Sequence, residues 1–137
     1  MRRSELLRFG SARVRTPPVA PGMRIGLMGG SFNPPHAGHV LISHTVLTRL
    51  QLDQLWWIVT PGNPLKETSD LPSLDERIAA CCEMAADPRI KITGFEAELG
   101  TPYTAATLAF LRRRFPDVRF VWVMGADNLA GFHRWQQ

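Results

Sequence analysis

Two histidines three residues apart, His36 and His39, close the segment Gly29-Gly30-Ser31-Phe32-Asn33-Pro34-Pro35-His36-Ala37-Gly38-His39. On the first turn of a helix that spacing lets both imidazoles project to one side, with Gly38 between them leaving room for a substrate group. The glycines ahead of them let the backbone approach an anion with no Cβ in the way. A helix N-terminus following such a loop adds unpaired N–H groups and the positive end of the helix dipole. Two chemistries compete for the pair. A zinc site would draw its other ligands from scattered residues. Hydrogen bonding to phosphoryl oxygens as charge moves in a transfer reaction suits the surrounding loop better. The bland alternative is that both histidines cap or pack the helix. The spacing is neither G-x-G-x-x-G nor G-x-x-x-x-G-K-[ST], so the dinucleotide fingerprint and the P-loop do not apply.

The elements that must position this loop alternate short apolar strands with longer helical stretches, the pattern of an α/β domain with a parallel sheet. The first strand is read at Arg24–Met28, followed by a Gly-Gly turn and the histidine loop, then a helix over Gly38–Gln51. Leu55–Thr60 is almost continuously apolar, as a strand covered on both faces should be. A long loop, Pro61–Pro72, follows it. Ser73-Leu74-Asp75-Glu76 has the form of a capping box opening a helix to about Ala86. Ile90–Thr93 is a third strand, Thr104–Phe115 a helix and Phe120–Met124 a fourth strand. The histidine loop then lies beyond the carboxyl end of a strand, where open α/β sheets bind ligands. Arg112-Arg113-Arg114 falls at a helix C-terminus, where cations complement the dipole, and is read as structural.

The 137 residues allow one domain of ordinary size, and 45% hydrophobic with 20% charged residues are ordinary globular values. The net charge of +4 suggests a nucleic-acid partner until its distribution is considered. Residues 1–22 hold five arginines against Glu5, whereas residues 23–137 hold eleven basic and eleven acidic residues. The basicity therefore belongs to an N-terminal extension, 1–22, expected to be flexible, which closes on Thr16-Pro17-Pro18-Val19-Ala20-Pro21-Gly22, whose prolines suit an extended linker; the domain proper is 23–137. No run reaches the roughly 18 apolar residues of a membrane span, so neither a membrane nor nucleic acid is expected as a partner, and the cytoplasm is the expected location. Cys81 and Cys82 are adjacent, which would strain a disulfide, and read as core or helix-surface thiols.

The segment G-G-S-F-N-P-P-H-A-G-H resembles the H-x-G-H signature of the nucleotidyltransferase superfamily, in the form carried by bacterial nicotinate-nucleotide adenylyltransferases. Three further segments are similar to that family in the same order. Pro61-Gly62-Asn63-Pro64-Leu65-Lys66 matches P-x-x-P-x-K. Thr101-Pro102-Tyr103-Thr104 with Thr107-Leu108 matches T-x-Y-T-x-x-T-L. Gly125-Ala126-Asp127-Asn128 with Phe132-His133-Arg134-Trp135 matches G-x-D-x followed by F-x-x-W. The resemblance implies a Rossmann-like open parallel sheet with helices on both faces. It also implies adenylyl transfer from ATP to nicotinate mononucleotide, giving deamido-NAD and pyrophosphate, with Mg²⁺ on the triphosphate.

By the same resemblance His36 and His39 are catalytic and hold phosphate oxygens. Gly29, Gly30, Ser31, Phe32, Lys66, Gly125 and Asp127 serve ATP and its phosphates. Asn63, Tyr103, Thr104 and Trp135 serve the mononucleotide, with Trp135 offering a face for stacking. No metal-binding residue is assigned, and a homo-oligomer is left open. The family's I-S-S-T-x-I-R segment is not found among these residues, so the expected sheet is truncated after its fourth strand, with an uncovered edge. Two alternatives remain: another H-x-G-H adenylyl- or cytidylyltransferase, such as a pantetheine-phosphate adenylyltransferase, or a non-catalytic nucleotide-binding fragment.

Overall fold

A computed structural model describes residues 14–61, 71–100 and 104–123. The strands are β1 (Arg24–Gly30), β2 (Gln54–Val59), β3 (Ile90–Thr93) and β4 (Arg119–Val123). The helices are α1 (Ala37–Arg49), α2 (Leu74–Met84), α3 (Phe95–Leu99) and α4 (Thr104–Arg114). All strand pairs are parallel, in the order β3-β2-β1-β4. The chain builds outward from β1 to β3 and then returns to lay β4 on the other side of β1. Reversal of direction at β1 makes the crevice at the carboxyl ends of β1 and β4 the natural ligand position of such a sheet.

Strand alternation divides the core in two. Met28, Leu55, Trp57, Val59 and Val123 face a cluster with Leu47 of α1 and Cys81 of α2. Ile25, Leu27, Trp56 and Ile58 face the other way, against Phe95 of α3 and Leu111 of α4. Helices thus cover both faces, and β1 and β2 read as unbroken apolar runs because each face is buried. The Rossmann-like α/β reading is met.

Three local readings are corrected. Gly29 and Gly30 do not form a turn; they complete β1, in register with Ile58 and Val59. Helix α3 was not anticipated, because five residues between Gly94 and a left-handed Gly100 (φ 77°) are too few to show a helical period. Of the capping box at Ser73 one half forms: its hydroxyl accepts from Glu76 N–H at 3.1 Å.

Residues 14–22, within the extension expected to be flexible, pack on the domain. Val14 is buried in the α3/α4 cluster. The Arg114 guanidinium donates to the Val14 carbonyl, Arg15 N–H donates to Glu98 Oε2 at 2.8 Å, and Gly22 N–H donates to Asp117 O at 2.8 Å. A valine removed from water is worth about 1.5 kcal/mol or more, enough to seat a short extended segment whose backbone groups find partners.

Candidate active site

The loop Ser31–His36 leaves the end of β1 and enters α1 at the reversal point of the sheet. Two glycines of this stretch have protein neighbours where a Cβ would stand. A Cβ on Gly29 would lie 3.3 Å from Cη2 of Trp122, so the indole from β4 packs on the bare backbone. A Cβ on Gly38 would lie 2.8 Å from Cε1 and 2.9 Å from Nδ1 of His36. The expectation that Gly38 leaves room for substrate is therefore corrected: it leaves room for the His36 ring, folded back over the helix start.

His36 is the N-cap of α1. Its Nδ1 accepts from Gly38 N–H at 3.1 Å, and its own N–H donates to Nδ1 of His39 at 2.9 Å. The reciprocal cap holds the two rings 3.9 Å apart between centroids. An imidazole nitrogen that accepts from an N–H carries no proton, so the neutral form of each ring bears its proton on Nε2. The capping role and any chemical role thus fall on different nitrogens of the same side chains, and the first does not displace the second.

His39 is buried, whereas His36 is exposed. The His39 ring packs on Phe32 at 4.7 Å, and Phe32 stacks on Trp57 at 5.1 Å with 18° between planes. Trp57 Nε1–H donates to Ser43 Oγ at 2.8 Å, and that hydroxyl donates to the His39 carbonyl at 2.6 Å. Phe32 holds a left-handed φ of 49°, a conformation costing a non-glycine residue on the order of 1 kcal/mol. Aromatic pairs worth about 0.5–1.5 kcal/mol each offset it. The peptide between Asn33 and Pro34 is cis.

Behind the loop stands Arg77, 3% exposed, on the first turns of α2. Its Nη1 donates to the carbonyls of Ser31 (3.0 Å) and Thr60 (2.7 Å), and its Nε donates to that of Pro72 (3.0 Å). Burial lowers its pKa from the ordinary arginine value. Arg77 was missed in the sequence, although a signal existed: it lies beside Ile78 on the stripe Leu74, Ile78, Cys81 that faces the core. A second missed group is Glu96, buried on α3, whose Oε2 accepts from the Thr107 hydroxyl at 2.7 Å. Burial raises its carboxyl pKa, and the Thr107 hydrogen bond partly counters that.

The structure brings together Gly29, Gly30, Ser31, Phe32, His36 and His39 at one strand end. Thr104 opens α4, on the opposite face of the sheet, and is exposed. Asn63, Lys66, Tyr103, Gly125, Asp127 and Trp135 lie outside the described residues. Cavities of about 420 and 480 Å³ among the described residues lie along β3, beside Lys91 and Thr93, and along β4, beside Arg24 and Arg119. Neither includes the histidines.

A sequence profile of the cytidylyltransferase-like family matches residues 27–137, a span that takes in the end of β1, the histidine loop, the other three strands and the Gly125-Ala126-Asp127 segment. The chain belongs to this family. Curated proteins similar to it include a probable nicotinate-nucleotide adenylyltransferase of Agrobacterium fabrum, 64% identical over 115 residues, which are 84% of this chain and 62% of the relative. One of Brucella suis is 62% identical over 84% of this chain and 59% of its own length. One of a Bradyrhizobium species is 63% identical over 84% and 60%. The chain thus spans about three fifths of the length of the curated relatives it matches.

Proposed function

We propose that this chain carries the nucleotide-binding part of an adenylyltransferase that joins ATP to nicotinate mononucleotide, releasing pyrophosphate and deamido-NAD. The observation that carries the reading is the His36/His39 pair: two imidazoles at the reversal point of the sheet, each with Nδ1 occupied by the helix cap and Nε2 bearing the proton. The names of the similar proteins, each a probable nicotinate-nucleotide adenylyltransferase, supply the substrate class.

In such a reaction the mononucleotide phosphate attacks the α-phosphorus of ATP, forming a P–O bond as the bond to pyrophosphate breaks. No covalent intermediate with the protein is required. Displacement at phosphorus asks for positioning and for donors aimed where charge develops. Nε2–H groups on a rigid cap meet both needs, because their direction is set before substrate arrives and no reorganisation is needed during the reaction. Lys66 would neutralise phosphate charge, Asp127 would stand near the ATP ribose and phosphates, and Thr104 and Trp135 would receive the pyridine half.

Among the described residues no group of three or more His, Cys, Asp or Glu is placed to hold a metal ion. The described loop presents imidazoles rather than carboxylates. Mg²⁺ would therefore enter on the triphosphate, whose charge it neutralises, and the roles given to the side chains do not depend on a protein ligand to it.

The test is pyrophosphate release with ATP and Mg²⁺ against a panel of acceptors: nicotinate mononucleotide, nicotinamide mononucleotide, pantetheine phosphate and none. Release with a pyridine mononucleotide alone supports the reading. Release with pantetheine phosphate favours another member of the superfamily, and saturable ATP binding without release favours a non-catalytic module.

A further inference from the structure

We infer that Arg77 is a positioning residue of the nucleotide site, holding the histidine loop and the start of the Pro61–Lys66 loop in one fixed relation. The inference rests on the adenylyltransferase reading for its consequence, but its geometry stands without it. Arg77 donates to three carbonyls from three separate segments: Ser31 after β1, Thr60 after β2 and Pro72 before α2. Two of these lie at the carboxyl ends of adjacent parallel strands, which are otherwise joined at this level by Thr60 N–H donating to Gly30 O at 2.9 Å. Beyond Thr60 runs the stretch that contains Asn63 and Lys66, so one guanidinium fixes the roots of both loops nominated for substrate.

The peptide that Arg77 holds is the one leading into Phe32. In a trans peptide the carbonyl and the next N–H point in opposite directions, so turning the Ser31 carbonyl to Arg77 turns the Phe32 N–H away from it. Phe32 is also the left-handed residue of the loop, and its ring supports His39. Release of the Ser31 carbonyl would let this strained link relax and would loosen the His39 ring through Phe32. A fork of fixed N–H donors reaches several carbonyls at once, which an ammonium cannot reproduce, so lysine is not a substitute here.

The test combines amide hydrogen exchange with ATP titration in Mg²⁺, on the whole chain as wild type, Arg77→Met, Arg77→Gln and Arg77→Lys. In Arg77→Met, protection of the Thr60 and His36 amides should fall by about tenfold or more, while Leu27 and Trp56 amides inside the sheet stay near wild type. The ATP Kd should rise by about tenfold, with partial restoration of both readouts by millimolar guanidinium ion and none in Arg77→Lys. Should Arg77→Met not fold, Arg77→Gln serves the same comparison. Uniform loss of protection across the sheet would overturn the inference by reducing Arg77 to a fold-holding group. Unchanged protection at Thr60 and His36 would overturn it as well. Failure of the wild type to bind ATP would count against the functional reading alone, since the exchange pattern decides the role of Arg77 independently.

Discussion

Ionisable groups outside the histidine pair make separable predictions. Glu96 has its pKa raised by burial, so between the ordinary glutamate value and the raised folded value the folded state holds the extra proton. Stability should therefore decline as pH rises through that window. Glu96→Gln, which keeps an acceptor for Thr107, should flatten the decline and raise Tm above it; equal pH slopes in thermal melts of the two proteins would contradict this. Asp87 works in the opposite direction. The Arg89 side chain, hydrogen-bonded to it, holds its carboxyl down at about 2, so the pair's contribution is present above the ordinary aspartate value and is lost as pH falls toward 2. The two cysteines also divide. Burial pushes the Cys81 thiol up to about 12, and Cys82 is exposed. A thiol reagent at neutral pH should modify Cys82 and leave Cys81 intact until unfolding, and fast modification of both would contradict the packing of α2.

Helix α2 and strand β2 show what supports the site from beneath. Ser73→Ala should cost about 1 kcal/mol in denaturant unfolding, the usual loss for an N-cap hydroxyl. Trp57→Phe removes the donor to Ser43 while keeping a ring beneath Phe32, and should lower stability by about 1 kcal/mol with the larger effect on the order of the histidine loop. At this level the sequence was legible where periodicity or chain chemistry is strong. All four strands and the three longer helices stand within about two residues of their expected bounds, because unbroken apolar runs and the serine cap report burial directly. Helix α3, the seating of Val14 and the three-carbonyl grip of Arg77 were not legible. Helix α3 is too short to show a period, and the other two depend on partners distant in the chain: Glu98 stands 83 residues from Arg15, and Ser31 stands 46 from Arg77. The packing of Trp122 on Gly29 was hidden for the same reason, whereas the neighbour over Gly38 is the nearby His36, whose folded-back ring follows from its capping hydrogen bonds rather than from any spacing.

For the molecule as a unit, the order β3-β2-β1-β4 places the reversal of the chain beside the histidine loop, whose residues suit phosphoryl chemistry. Fold and motif agree on a single location, and the family match spans the same residues. The candidate site was legible in part. The histidine pair, the loop and the strand end were expected from spacing alone, whereas the division of labour between Nδ1 and Nε2 required the hydrogen bonds. The substitution His39→Asn isolates that division. Asparagine can present an acceptor near the Nδ1 position and so retain the cap, but it carries no donor at the Nε2 position. The decisive measurement is the single-turnover rate of pyrophosphate release and the ATP Kd of His39→Asn beside wild type. The rate should fall by about 10²–10³, the usual effect of removing one donor to developing charge, with Kd changed by less than about threefold. A rate that falls only as far as binding does, or does not fall, would contradict it.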